Sequence, residues 1–397
     1  MNRFQRHFDE QKALFASNLT RSQAWRVEQL DRMGRMINEN ESALQEAIAG
    51  DFKTASQEYI FETAATFLET EYQKSQLENW MAPSEAPVPK TLARTGHKGM
   101  VYRDPYGVVL VIGPFNGPLL LLLRPAITAL AAGNTCIAAA VHLTPVLLEL
   151  GGQNPAVVDR TANIPDAAKK IVWGAMAWGG QWCTSPGYAY VHESVVEQFV
   201  AEAKKALVDL YGSDPRNNPD YSRIISPNEV NRLAALIDPA RIAYGGGADA
   251  EARYLDPTIL YPISWDDKIM EDEIFGPILP ILTYTNLDEA FARIAATPHP
   301  LSAFIFSRDQ ATIGRFIGEL SFGGGAVNQT NINLFIETMP FGGVGPAGIG
   351  HYYGRDGYNM LTHAKAMLIS PPDVAIEHLF PPYTDQKNRE LSTWFDY

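Results

Sequence analysis

Two residue types in this chain could do covalent chemistry together: a cysteine in a flexible polar loop and carboxylates in unusual settings. Cys183 sits in Gly-Gly-Gln-Trp-Cys-Thr-Ser-Pro-Gly, whereas the second cysteine, Cys136, lies in an apolar run. A thiolate is the reactive form of cysteine, so a nucleophile at 183 needs a local field and a base that takes its proton at neutral pH. Glu149 in Leu-Glu-Leu-Gly-Gly and Glu273 in Glu-Asp-Glu-Ile-Phe-Gly-Pro are the carboxylates whose surroundings suit a role. A lone carboxylate in an apolar strand is costly to bury unless it is used or paired, which favours a function for Glu149. The plain alternatives stay open: Cys183 as a small buried hydrophobe, Glu273 as a helix cap or a solvated loop acid, and Asn116, between Phe115 and Gly117, as a turn asparagine. His142, His299 and His363 share no metal-ligand spacing with the cysteines, so no metal site is expected.

The elements that must position these groups are legible in outline. Val27, Leu30, Met33 and Ile37 recur at helical spacing, and Ser42 with Gln45 makes a capping box for a helix ending near Gly50. The first eighty residues therefore read as largely helical. Lys90 to Arg103 is polar and reads as extended. Val108 to Ile112 is a continuous apolar run and reads as a buried parallel strand. Arg124 to Ala132 with Gly133 behind it is a helix with its C-terminal glycine, and Asn134 to Ala138 is the next strand. This βαβ unit opens a Rossmann-like sheet. Ile164 to Trp178 reads as helix, Tyr188 to His192 as strand, Ser194 to Tyr211 as helix, Ile278 to Leu282 as strand and Ala364 to Ile369 as a late strand. The class is α/β.

Composition bounds the function. The chain has 397 residues, 46% of them hydrophobic, enough for two or three domains. A net charge of −13 disfavours nucleic acid or an anionic membrane as a partner. Two cysteines give no disulfide framework and suit a reducing cytoplasm. The apolar run from Leu119 to Leu123 is stopped by Arg124 and Pro125, far short of the roughly 20 residues of a spanning helix, so no membrane anchor is expected.

Cys183 and four further segments occur in a telling order: Gly113-Pro-Phe-Asn-Gly-Pro118, Leu148-Glu-Leu-Gly-Gly-Gln-Asn-Pro155, Cys183, Glu273-Ile-Phe-Gly-Pro277 and Met339-Pro-Phe-Gly-Gly-Val-Gly-Pro-Ala-Gly-Ile-Gly350. In this order they resemble the aldehyde dehydrogenase superfamily over nearly the whole chain. His142 to Val146, Leu119 to Leu123 and the Pro-Pro-Tyr at 381 to 383 look most like its class 3, fatty and coniferyl aldehyde branch. The resemblance implies oxidation of hydrophobic aliphatic or aromatic aldehydes by NAD or NADP, through a thiohemiacetal and a thioester on Cys183. It assigns Glu149 as general base and Asn116, with the Cys183 backbone N–H, as oxyanion donor. Glu273 would hold the nicotinamide ribose, Phe275 would lie against the nicotinamide, and Gly151 would allow the cofactor to approach closely. It also implies a homodimer, with strands near Met100 to Asp104 and Ala364 to Ile369 at the interface.

The chain departs from that family after Ala138. Relatives continue with a Lys-Pro-Ser-Glu segment, further strands and helices and a glycine turn at a helix start; here Cys136-Ile-Ala runs directly into Ala-Ala-Val-His-Leu-Thr-Pro-Val. The omission is on the order of two βαβ units, each roughly 30 or more residues. About six residues then link elements that ordinarily need a crossover of a dozen or more, so residues 138 to 144 are expected to be stretched or mobile. The expected organisation is a truncated Rossmann-like cofactor domain with N-terminal helices (1–89 and 105–150), a catalytic domain (151–345) and an oligomerisation element with a tail (90–104 and 364–397). Weakened dinucleotide binding follows, because the missing stretch carries the lysine, the acidic group and the helix N-terminus that hold the adenosine ribose and pyrophosphate in relatives. Three other readings remain beside a dehydrogenase: a cofactor-independent thiol esterase, a catalytically silent scaffold or oligomer partner, and an engineered or mis-assembled reading frame whose parent is an ordinary dehydrogenase.

Overall fold

A computed structural model describes residues 3–88, 90–94, 96, 98–138, 147–373, 380–382, 384 and 386–387. The first eighty residues are largely helical, as expected, with helices Arg3–Ala16, Gln23–Glu39, Glu41–Asp51 and Ser56–Met81. Leu30 and Ile37 from the periodic set are buried, and Leu30 packs with Leu77, Trp80, Ile127 and Tyr358. The capping box at Ser42 and Gln45 does not form. The helix starts two residues earlier than a Ser42 cap requires, at Glu41, and the Gln45 amide donates instead to Glu41 and Thr63, each at 3.0 Å. Ser22 supplies a true cap, accepting from the Trp25 N–H at 3.1 Å.

The segment read as wholly extended from Lys90 to Arg103 divides into a short helix, Lys90–Arg94, and a strand, Lys98–Pro105. That strand pairs antiparallel with both Ser84–Ala86 and Thr362–Ile369, making a three-stranded sheet whose outer strand is almost entirely exposed. Val108–Val111 pairs parallel with Thr135–Ala138, and the helix Leu120–Ala131 crosses between them. The apolar strand is half-buried rather than fully buried, and the adjoining Ile112 is 68% exposed. Among the described residues this parallel pair carries no third strand, so one side of it lacks the cover that makes a parallel strand uniformly apolar. The Leu119–Leu123 run forms the first turns of the crossover helix, and Gly133 closes that helix at φ +85°. The link from 139 to 146, with the His142 motif and the expected strain, lies outside the described residues, as do Tyr383 and most of the tail.

The larger layer is a seven-stranded sheet whose strands all fall between Asn154 and Val327. Its centre is parallel: Asn154–Val158 lies between Ser302–Phe306 and Pro186–His192, and Pro186–His192 pairs in turn with Ile278–Tyr284. These central strands are almost wholly buried, with helices Ile164–Met176 and Val196–Tyr211 against one face and Leu287–Ala295 and Gln310–Glu319 on the other. This is the α/β arrangement read from the sequence.

Candidate active site

Cys183 is 8% exposed and lies in an apolar cluster with Trp178, Trp182, Leu120, Leu301, Phe341 and Tyr352. The loop that carries it leaves the helix Ile164–Met176 through three consecutive left-handed residues, Trp178 (φ 58°), Gly179 (φ 62°) and Gly180 (φ 68°). Only glycine fits the last of these. A Cβ at Gly180 would stand 2.2 Å from the Gly276 backbone, just past Phe275. Side chains from the sheet then fix the turn. Asn154 donates to the carbonyls of Cys183 and Ser185, both at 2.8 Å, and accepts from the Ser302 N–H at 2.8 Å. Gln181 donates to the Trp178 and Arg223 carbonyls and accepts from the Ile225 N–H.

Glu149 comes from the two-residue strand Leu148–Glu149, which pairs antiparallel with Gly348–Ile349 of the last glycine-rich motif. Its carboxylate lies against the Cys183 thiol, and its Oε1 is shielded from solvent without a hydrogen-bond partner. Burial pushes the Glu149 carboxyl up to about 7, opposed by the Cys183 contact and reinforced by the charge of Glu273. Burial also pushes the Cys183 thiol well above its ordinary range, and the negative Glu149 and Glu273 add to that. The resting pair is therefore a protonated thiol beside a carboxyl that is ionised about half the time near pH 7. Such a pair can pass a proton as the sulfur attacks, with no standing thiolate.

Glu273 packs against Gly151: a Cβ there would meet its Oε1 at 2.2 Å. Burial raises the Glu273 carboxyl, while the Gly152 N–H and the nearby Arg232 lower it. Gln153 ties the two segments together by donating to the Ile269 and Asp272 carbonyls. Phe275, itself at φ 51°, meets Phe115 edge-on at 5.9 Å, which places the turn carrying Asn116 beside the Glu273 segment. Asn116 is 3% exposed. Cys183, Glu149, Glu273 and Gly151 thus meet, with Asn116 on the adjoining turn. Cys136 stands apart in the strand Thr135–Ala138, half-buried, its thiol raised to about 12 by burial.

Sequence reasoning missed a polar ladder on the helix Ser56–Met81. Glu58, Glu62, Thr66, Glu69 and Gln73 recur at three- and four-residue spacing, and all are buried. The signal was available: acids alternating with Thr and Ala on one stripe, opposite an outward stripe of Ile60, Phe61 and Leu68. Glu69 pairs with the buried Arg124 at 2.6 Å, and that guanidinium lies 3.8 Å over the Tyr353 ring.

The sequence profile of the aldehyde dehydrogenase family matches residues 8–146 and 137–367, in two pieces that meet at the unusual junction. The chain belongs to this family. It is 35% identical to 4,4'-diaponeurosporen-aldehyde dehydrogenase of Staphylococcus aureus over 96% of this chain and 97% of the relative. It is 31% identical to the dimeric NADP-preferring aldehyde dehydrogenase of Canis lupus familiaris (94% and 96%), and 31% identical to aldehyde dehydrogenase family 3 member B1 of Homo sapiens (95% and 94%). The class 3-like branch is therefore the right one. Among solved structures, the substrate-bound state of Staphylococcus aureus AldH superposes with a TM-score of 0.95 at 33% identity, covering 100% of both chains. The first of these alignments runs over 448 positions against the 397 residues here, so at least 51 positions of the relative face a gap. The chain is an aldehyde dehydrogenase with an internal deletion. Among the described residues there is no group of three potential metal ligands and no helix long and apolar enough to cross a membrane.

Proposed function

We propose that Cys183 attacks the carbonyl carbon of a hydrophobic aldehyde while Glu149 takes the thiol proton. The proximity of the Glu149 carboxyl to the Cys183 thiol, each shifting the other, together with a buried Oε1 that has no hydrogen-bond partner, carries this reading. As the S–C bond forms, the carbonyl π electrons move to oxygen. Asn116 and the Cys183 N–H are the donors for that charge, and losing one such donor typically costs about 2.7 to 4 kcal/mol of barrier. NAD or NADP supplies the hydride acceptor of this family's chemistry when bound. Glu273, Phe275 and Gly151 are the residues that would hold its nicotinamide end, since a Cβ at Gly151 would fill the space in which the Glu273 carboxylate stands. Once that first proton has passed to solvent, the Glu149 carboxylate can act a second time: it takes a proton from water as the water oxygen bonds to the acyl carbon, the C–S bond breaks, and the thiolate recovers a proton as the acid leaves.

Substrate class follows from what leads to the thiol. Trp182 lies 5.8 Å from Phe335, and Phe335 lies 4.3 Å from Phe61, which is 45% exposed. Ile332, Ile336 and Met339 are exposed nearby along the chain. An apolar, aromatic surface of this kind suits aliphatic or aromatic aldehydes. The exposed outer strand Thr362–Ile369 supports a homodimer, and residues 151–345 serve as the catalytic unit.

At least 51 missing positions favour a second reading, a cofactor-independent thiol esterase, because ester cleavage needs Cys183, Asn116 and Glu149 but no hydride acceptor. Two measurements test both readings. Incubation with NAD+ or NADP+ and an aliphatic aldehyde should form reduced nicotinamide, and Cys183→Ala should not; equal turnover in that variant overturns the assignment. Isothermal titration should find NAD+ and NADP+ bound at least about 100-fold more weakly than by a full-length relative, since several charge-assisted hydrogen bonds of roughly 1.5 to 3 kcal/mol each are lost. Micromolar affinity would show that the pyrophosphate has found other partners.

A further inference from the structure

Two buried carboxylates of the helix Ser56–Met81 have no part in the reaction above, yet both end on the backbone of the site. Glu58 and Glu62 are one helical turn apart and share a face. Glu58 Oε1 accepts from the Trp178 N–H at 2.6 Å, and its Oε2 accepts from the Ser222 hydroxyl at 2.5 Å. Glu62 Oε2 accepts from the N–H groups of Leu119 and Leu120 at 3.0 and 3.1 Å, at the start of the helix just beyond Asn116. The other oxygen of Glu62 pairs with the fully buried Lys53, whose Nζ lies 3.2 Å over the Trp178 ring.

Trp178 is the residue most in need of an anchor. A tryptophan in the left-handed region is strained, and such strain persists only where its surroundings over-determine it. Its amide is held by Glu58, one ring face meets Lys53, and it stacks at 4.4 Å and 11° on Trp182, the residue before the nucleophile. We propose that Glu58 is a positioning residue for Cys183, acting through the backbone and ring of Trp178, and that Lys53 and Glu62 tie this anchor to the oxyanion turn at Asn116. One helix thereby sets the spacing between nucleophile and oxyanion donor. This inference rests on the catalytic roles assigned above to Cys183 and Asn116.

The test compares Glu58→Gln with Glu58→Leu. Glutamine can still accept from the Trp178 N–H and can donate to Ser222; leucine can do neither. With p-nitrophenyl acetate as substrate, Glu58→Leu should lower kcat by up to about 10²-fold, as misplacement of a reacting group does, and should change KM by less than about threefold. Iodoacetamide should alkylate Cys183 severalfold faster in the same variant, because a loosened loop exposes the thiol. Glu58→Gln should restore both properties. A folded Glu58→Leu protein with unchanged kcat and unchanged alkylation overturns the proposal, as does a Gln variant as impaired as the Leu one. Should Glu58→Leu not fold, Ser222→Ala, which frees one side of the anchor, takes its place: lower kcat with faster alkylation supports the role, and no change in either overturns it. Cys183→Ala in parallel separates the failures. If turnover survives in Cys183→Ala, the thiol mechanism falls; if it vanishes there and Glu58→Leu is unimpaired, only the positioning role falls.

Discussion

If Glu149 is the base for Cys183, the acylation rate must titrate near the raised value of its carboxyl. At a value of about 7, roughly 1% of the carboxyl is ionised at pH 5 and roughly 90% at pH 8, so the rate should rise about 90-fold between them. An ordinary glutamate near 4.5 would already be about 75% ionised at pH 5, and the rate would change by less than about 1.5-fold. The thiol does not confuse the reading, because burial and two neighbouring carboxylates drive it well upward, out of this window. The assay is kcat/KM for p-nitrophenyl acetate from pH 5 to 8, with Cys183→Ala subtracted as the blank. Ester acylation needs thiol, base and oxyanion donors and is indifferent to the missing cofactor segment. Glu149→Gln should remove the rising limb and lower the rate at pH 8 by about 10² to 10⁴. A limb centred near 4.5, or one that survives in Glu149→Gln, refutes the argument.

Three further expectations follow from the same geometry. Cys183 is the more buried thiol and its neighbouring carboxylates raise it, but Glu149 can take its proton as the sulfur attacks, so iodoacetamide should modify Cys183 ahead of Cys136; Glu149→Gln should erase that lead, and peptide mapping reads it. Burial raises the Glu58 carboxyl to about 7 despite its hydrogen bonds to Ser222 and Trp178, with Lys53 and Glu62 as its charged neighbours. The folded state then binds the extra proton between about pH 4.5 and 7, so stability is greatest at the acid end and about 3 kcal/mol is lost as pH rises through that window. Glu58→Gln should flatten this part of the urea-unfolding profile; an unchanged slope counts against the shift. Gly180→Ala should destabilise by about 3 kcal/mol or more, since a Cβ would press on the Gly276 backbone at φ +68°; a midpoint within error of wild type would contradict the packing.

The candidate site was more legible than its supports. Cys183, Glu149, Glu273 and Gly151 stood out because residue type and local pattern are visible one segment at a time, and the structure brings these four together. Fold class was legible for a similar reason: the apolar runs near 188 and 278 are parallel strands buried on both faces. The helix start at Glu41 and the short helix at Lys90–Arg94 were not, because tertiary partners and weak local preferences decide such boundaries. The exposure of Ile112 was illegible too, since an apolar run carries no mark of which neighbours have been removed. Hardest of all was the ladder of Glu58, Glu62 and Glu69. Acids on a helix ordinarily face water, and only their partners Trp178, Leu119, Lys53 and Arg124, each at least 55 residues away except Lys53, make their burial tolerable.

Those supports explain how the residues proposed for acyl chemistry stay together in a chain that lacks at least 51 positions of its relative. Cys183 is held by Asn154 and Gln181, and by Glu58 through Trp178; the Asn116 turn is held by Glu62. Glu149 is registered by Gly348, and Glu273 rests on Gly151. None of these partners lies between Ala138 and Leu147, where the deletion falls. A pyrophosphate site, by contrast, is built from amides at a helix start beside successive parallel strands, and before Glu149 only the parallel pair Val108–Val111 and Thr135–Ala138 stands among the described residues. On the roles proposed above for Cys183, Asn116 and Glu149, acyl chemistry and dinucleotide affinity would depend on separate sets of contacts. Removing the second set should leave ester acylation intact while dehydrogenase turnover becomes limited by occupancy of NAD or NADP, so its rate should climb linearly with cofactor concentration far beyond the range that saturates a full-length relative. Saturation at the relative's concentration would mean that the two sets are not separate.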